Sequence, residues 1–242
     1  MLRPLAGRLA RFGLRVLREQ CYRRAGGEQR PVFFDVEATL PELRRIDDDY
    51  DAIREELMAL LPERASMPRY HEVDERQDGI SNADERDWRV FFVYLFGQED
   101  RLPNSRLCPR TVAAVRGIPG VLNAFFSILE AGKSVPAHEG PSYHYLRYHT
   151  AFRVPSTKPP TLRVKDRYHT WAEGESLLFD DSWEHEVTNE SDSERVVLIV
   201  DVVRPGPWWL RLLHRGVRRL NQLSTDEETR RLLFARVGLQ QP

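Results

Sequence analysis

Between residues 40 and 60 the apolar positions recur at steps of three or four: Leu40, Leu43, Ile46, Tyr50, Ile53, Leu57 and Leu60. That period puts them on one face of a helix. It predicts a helix over 41–62, with Pro41 in its first turn and Pro62 at its end. From Pro62 to Asp87 the chain turns polar around Gly79, Ser81 and Asn82, and reads as a long surface loop of the kind that borders a site. Trp88 to Phe96 is an aromatic, β-branched run suited to a strand, and Pro109 to Arg116 a short helix. Apolar runs follow at 121–129, 143–154, 161–166, 175–180 and 195–203, separated by turns such as Ala131-Gly132 and Glu173-Gly174. Short, evenly spaced strands predict an antiparallel sandwich or barrel. The expected class is mainly β with flanking helices.

The two ends follow another pattern. Leu5, Leu9, Phe12 and Val16 share one helical face, opposite Arg8, Arg11, Arg15 and Arg18. Near the other end, Trp208, Trp209, Leu210, Leu212 and Leu213 stand among Arg211, Arg215, Arg218 and Arg219. The expected organisation is a basic amphipathic helix over 1–30, a single domain over 31–205 and a basic helical tail over 206–242. A chain of 242 residues fits one domain, and 41% hydrophobic residues exclude disorder of the whole chain. The formal charge of -1 speaks against a nucleic-acid binder. It hides an uneven distribution. Residues 1–30 carry +6 and residues 204–220 carry +5, which leaves about -12 elsewhere. The basic ends read either as helices packed on the domain or as peripheral membrane contacts, with Arg meeting lipid phosphates and Trp at headgroup level. No apolar run reaches the roughly 18 residues needed to span a bilayer. Two cysteines make no disulfide framework, so the expected location is the cytoplasm or the inner membrane face.

Five of the seven histidines, His138, His144, His149, His169 and His185, fall in the β-rich part. Neutral imidazoles brought together by strands make a metal site. Single histidines at turns more often face solvent or make structural hydrogen bonds, so composition alone supports a metal site only weakly.

The wording of the segments goes further. Ser127-Ile128-Leu129 precedes a Gly132 turn, then His138-Glu139-Gly140-Pro141 and Leu146-Arg147-Tyr148-His149. Trp171-Ala172-Glu173-Gly174-Glu175 follows, then Phe179-Asp180-Asp181-Ser182 leading to His185-Glu186-Val187, and Arg195 ahead of Val200-Asp201-Val202. With Trp88 and Cys108-Pro109-Arg110-Thr111 upstream, residues 85–205 resemble the aspartyl/asparaginyl β-hydroxylase family of Fe(II)/2-oxoglutarate dioxygenases. The resemblance implies a double-stranded β-helix, the jelly-roll or cupin-like core. It also implies Fe(II), 2-oxoglutarate as cosubstrate and O2, and hydroxylation of an unactivated C–H bond. His138 and His185 would be the catalytic metal ligands. Arg195 would hold the distal carboxylate of 2-oxoglutarate, with Ser127, Arg147, His149 and the apolar Leu129 lining the same pocket. Gly140 stands where related enzymes carry a carboxylate ligand, as it does in this family. Asp180 and Asp181 read either as acceptors behind a ligating histidine or as turn formers.

The substrate expected first is an Asp- or Asn-type residue of a peptide, or an amino acid, hydroxylated at its β-carbon. The peptide branch meets its acidic substrate with basic residues near Ser127 and just before Arg147. Phe125 and Tyr145 stand there in this chain, leaving Arg153 or Lys133 as the remaining candidates for a counter-charge. Hydroxylation of a lipid acyl chain is the alternative, and it would suit the basic, Trp-bearing ends. Halide binding at the Gly140 vacancy and a non-catalytic β-helix binding module are weaker options.

Overall fold

A computed structural model describes residues 18–95, 97 and 103–206. Of the two expected terminal helices, residues 1–17 and 207–242 lie outside this set. Within it, residues 18–25 are helical.

Among the described residues ten strands form two sheets: β1 (Phe33–Phe34), β2 (Trp88–Leu95), β3 (Val121–Leu129), β4 (Val135–His138), β5 (Tyr145–Arg153), β6 (Thr161–Val164), β7 (Arg167–Thr170), β8 (Ser176–Phe179), β9 (His185–Thr188) and β10 (Arg195–Val203). The large sheet runs β1-β8-β5-β10-β3-β2, and the small one β4-β9-β6-β7. Every strand pair is antiparallel. From β3 to β10 the chain passes back and forth between the sheets, the winding of a jelly roll. The expected β class and double-stranded β-helix are what the chain forms.

Residue parity decides what each side of the large sheet touches, because successive side chains point to opposite faces. Val196, Leu198, Val200 and Val202 of β10 join Phe126 and Ile128 of β3 and Leu146, Tyr148 and Phe152 of β5 in the outer core. That core is covered by α1 (Arg44–Asp48), α2 (Tyr50–Leu60) and α3 (Pro109–Arg116). The alternate residues Val197, Ile199, Phe125, Leu129 and Ala151 pack in the space between the sheets. β10 is buried on both faces along nearly its whole length, which accounts for its unbroken run of apolar residues.

The helix predicted over 41–62 is interrupted. A 3-10 turn (Pro41–Leu43), α1, α2 and a second 3-10 segment (Leu61–Ser66) replace it. Its apolar face still packs as the period requires, with Leu43, Ile46, Ile53 and Leu57 fully buried. Asp47 holds α1 on the sheet by accepting hydrogen bonds from Tyr148 and Ser176. Strands β4, β7 and β9, four residues each, were not among the apolar runs. β7 has a largely exposed pattern and β4 exposes Pro136 and Ala137, so neither carries an apolar signal.

The polar stretch 62–87 is not an open loop. It holds short helical turns at Tyr70–Val73, Glu75–Gln77 and Asp78–Ser81. Tyr70, Val73 and Ile80 pack on the inner core, so the segment forms a side wall of the space between the sheets. Lys133, completely buried, fastens that wall by donating to the Ser81 carbonyl (2.9 Å) and to Asp84 (2.7 Å). Lys133→Met would strand a buried carbonyl and is expected to cost about 1–3 kcal/mol. Limited proteolysis should show cleavage within 62–87 at lower protease concentration, and an unchanged digestion pattern would remove this role.

Candidate active site

All five residues expected to bind the cosubstrate lie on the inner face of three adjacent strands. In the ladders Leu129 is opposite Arg195, Ser127 opposite Val197, His149 opposite Ile199, and Arg147 opposite Asp201. Odd numbering alone brings them to one side. Sheet order then makes β3, β10 and β5 neighbours.

His138 and His185 face each other across the β4–β9 ladder as register partners. Their ring centroids are 4.1 Å apart. Each ring is held in the same way, with Nδ1 donating to the carbonyl two residues earlier: Pro136 at 2.8 Å and Trp183 at 2.9 Å. With Nδ1 protonated, the Nε2 lone pair of each ring is left to bind a metal. Burial lowers the pKa of both, and for His185, 4% exposed, the nearby His138 takes it down further, to about 3. Both imidazoles are therefore neutral at physiological pH, the form that binds metal. Among the described residues no group of three or more His, Cys, Asp or Glu side chains is arranged to hold a metal. Two imidazoles stand without a carboxylate in their set.

The structure shows what occupies the vacancy at Gly140. A Cβ built there would meet the Asp181 carboxylate carbon at 2.6 Å. The Gly140 N–H donates to the Asp181 carbonyl at 2.8 Å, which fixes the close approach. Asp181 accepts from the Tyr145 hydroxyl (2.7 Å) and lies 3.5 Å from Arg147, while its Oδ1 has no partner. Burial raises its carboxyl pKa, against the opposing pull of Arg147. Asp180 faces elsewhere, accepting from Ser182 and pairing with Arg30 and Arg204. Neither aspartate accepts from the Nδ1 of a histidine of the pair, since both Nδ1 atoms go to backbone carbonyls. Gly140→Ala would drive a methyl group into the Asp181 carboxylate. It is expected to cost about 1–3 kcal/mol and to reduce turnover, as thermal unfolding and rate measurements on one preparation would show. Full activity with unchanged stability would contradict this packing.

Arg195 is the most exceptional group in the cleft. Its side chain is 2% exposed, yet Nε and Nη1 have no hydrogen-bond partner. The guanidinium lies 4.6 Å from the Trp171 ring centroid, and burial lowers its pKa. Such a fork is poised for a carboxylate. His149 stands beside it with both ring nitrogens unpartnered, stacked on Trp171 and edge-on to Phe179. Burial, with Arg195 next, lowers its pKa well below the usual value. Ser127 accepts from the Trp88 indole at 3.0 Å.

Arg147 differs from Arg195. Its guanidinium is already gripped by Asp201 in a fork of 2.8 and 2.9 Å, and Asn123 donates to the same carboxylate at 3.1 Å. Asp201, Asn123 and Tyr145 had no assigned role in the sequence. Asp201 was open to discovery there, since it shares the parity of Arg195 on an otherwise apolar strand.

The side chains expected near a substrate carboxylate offer no charge for it. Phe125 is buried against Phe92 (4.6 Å) and Tyr70 (5.7 Å), and Tyr145 is committed to Asp181. Of the two candidate counter-charges, Lys133 is spent on Asp84, and Arg153 pairs with Glu194.

The family model for Aspartyl/Asparaginyl beta-hydroxylase matches residues 47–205. The chain is 42% identical over 176 residues to the ornithine lipid ester-linked acyl 2-hydroxylase of Rhizobium tropici, covering 72% of this chain and 61% of that protein. It is 27% identical over 199 residues to the human aspartyl/asparaginyl beta-hydroxylase, covering 78% of this chain and 25% of that protein. Against human aspartate beta-hydroxylase domain-containing protein 2 the identity is 34% over 125 residues, or 48% of this chain and 33% of that protein. The chain thus matches only part of the length of each of these relatives.

Proposed function

Since the chain belongs to the aspartyl/asparaginyl β-hydroxylase family, we propose that it is an Fe(II)- and 2-oxoglutarate-dependent hydroxylase acting on the acyl chain of a lipid. The reaction class rests on one observation above all: a buried guanidinium with two open donors, Arg195, in the same inter-sheet space as two neutral imidazoles. An unpaired buried cation is costly, and a dicarboxylate would relieve that cost. Iron and 2-oxoglutarate, when bound, supply with O2 the hydroxylation of an unactivated C–H bond, with succinate and CO2 as coproducts.

The chain's own groups divide the work. His138 and His185 hold the metal, each fixed in tautomer and orientation by its carbonyl. Arg195 and Ser127 anchor the far carboxylate, while Leu129, Trp171 and Phe179 keep the cleft dry. Asp201 fixes Arg147, whose guanidinium lies 3.5 Å from Asp181. The Asp181 carboxylate packs on Gly140, where a Cβ would meet it at 2.6 Å.

The acyl substrate is favoured by Phe125 and Tyr145, which stand, among the described residues, where an Asp substrate would need a cation. Burying a substrate carboxylate beside Phe125 would carry a large desolvation cost. The relative at 42% identity is itself an acyl 2-hydroxylase. The test supplies Fe(II), 2-oxoglutarate and either a membrane-lipid extract or Asp-containing peptides, and follows one added oxygen by mass spectrometry. Oxygen gained on the acyl chain supports the proposal. Oxygen gained only on peptide overturns the substrate, and no succinate from either would favour a binding module.

A further inference from the structure

Trp171 stands where the chain crosses from one sheet to the other. It follows β7 directly, the turn after it leads into β8, and its ring joins the core between the sheets. Hydrogen bonds stitch that turn to β5. Gly174 donates its N–H to the Ala151 carbonyl at 2.9 Å, and Ala151 returns its N–H to the Glu175 carbonyl at 3.0 Å. The Glu173 carboxylate accepts from the Val154 N–H at 3.0 Å. The indole Nε1 is itself buried with no hydrogen-bond partner among the described residues. The ring is therefore placed by the turn that carries it and by packing.

Trp171 belongs to two spaces at once. In the cleft, the Arg195 guanidinium lies 4.6 Å from its ring centroid, and the His149 ring lies 5.9 Å away with its plane only 20° off parallel. His169 meets it edge-on at 6.0 Å. Trp171 also lines a cavity of about 740 Å³, with Arg153, Pro155, Pro159, Glu173 and Glu194 among its neighbours there. Arg195 and His149 do not line that cavity, so the indole is a wall shared by the two spaces. The cavity is no place for the dicarboxylate itself. Arg153 is paired there with Glu194, and Glu173 adds a second carboxylate, which repels an anion. Arg195, by contrast, keeps Nε and Nη1 open.

We propose that Trp171 sets the length of the 2-oxo dicarboxylate that the cleft accepts, by closing the cleft beside Arg195. The inference rests on the 2-oxoglutarate reading of the site and is independent of whether lipid or peptide is hydroxylated. The histidine pair and Arg195 would fix the two ends of the acid, so an added methylene has to push the distal carboxylate towards the ring. The ring cannot give way cheaply, because it is 2% exposed and packed on Arg195, His149 and His169. Beyond it lies open volume rather than more packed protein, so a smaller side chain joins the two spaces. Arg195, already against the ring, would then meet the displaced carboxylate in the space the indole vacates.

The test is calorimetric titration of the Mn(II)-loaded full chain with 2-oxoglutarate and with 2-oxoadipate, which is longer by one methylene. This reads binding and needs no turnover. Wild type should bind 2-oxoglutarate about tenfold or more tighter, the scale on which a close-fitting apolar wall rejects one methylene. In Trp171→Leu that ratio should fall to about one or reverse, and Trp171→Phe, which keeps part of the wall, should lie between. A merely structural role would weaken both acids alike and leave the ratio unmoved. Circular dichroism shows whether each variant is folded, and the phenylalanine variant carries the test if the leucine variant is not. Equal affinity for the two acids in wild type, or folded variants that keep the wild-type ratio, would overturn Trp171 as the limit and leave the hydroxylase reading intact. Binding of neither acid by wild type would overturn both.

Discussion

Replacing His138 and His185 together by alanine is expected to reduce turnover by at least about 100-fold, with the fold retained. The pair sits on the small sheet, and each Nδ1 bonds within its own segment. Losing both rings would remove the expected metal donors and, between the sheets, the edge-on contact of His185 with Phe179 at 6.0 Å. Two measurements check this on one preparation. Succinate formation should disappear, and the visible absorption that develops when Fe(II) and a 2-keto acid bind together should be absent. Circular dichroism and the unfolding midpoint should remain close to wild type. A folded double variant that still forms succinate would place the metal elsewhere.

Arg195→Met is expected to act in two directions at once. Without ligand, wild type buries a guanidinium that has open donors and no carboxylate partner. An apolar side chain of similar length relieves that cost, so the variant should gain about 1–4 kcal/mol in stability. The same change removes the charge-assisted fork for the distal carboxylate, worth about 3 kcal/mol, so the 2-oxoglutarate requirement should rise about 100-fold. Arg195→Lys separates charge from geometry, because it keeps the cation and loses the planar fork. The variant pair should show the methionine protein more stable and the lysine protein intermediate in its 2-oxoglutarate requirement. A methionine variant that is destabilised with an unchanged requirement would mean that Arg195 serves the fold and not the cosubstrate.

Much of this arrangement was readable along the chain, and unevenly so. β10 is the clearest case. Its apolar run predicts a buried strand, and the two charges within 195–203, Arg195 and Asp201, differ by an even number and so must face one side. Ser127, Leu129, Arg147 and His149 obey the same parity on β3 and β5. By contrast, β7 carries no apolar pattern because its side chains are largely exposed, and β9 has only four residues. Such strands exist because a ladder partner satisfies their backbone, which no local pattern reports. The stretch 62–87 misleads for a related reason. Its few large apolar residues, Met67, Tyr70, Val73 and Ile80, are scattered among charged ones, yet they suffice to seat short turns against the core.

The sequence by itself determined which side chains share a face, because backbone geometry makes that a matter of counting. It also singled out His138 and His185, through a resemblance spread over several separated segments, and the basic character of both ends. Tertiary structure alone decided how those groups are used. Arg147 and Arg195 look alike in the sequence, but packing delivers the Asp201 carboxylate to one and only the face of Trp171 to the other. Gly140 reads as an empty position until the β8–β9 connection brings Asp181 against it. Lys133 and Arg153 read as available charges until Asp84 and Glu194 close on them. A charge's availability depends on distances of 3–4 Å between residues far apart in the chain, and those distances are set only when the sheets close.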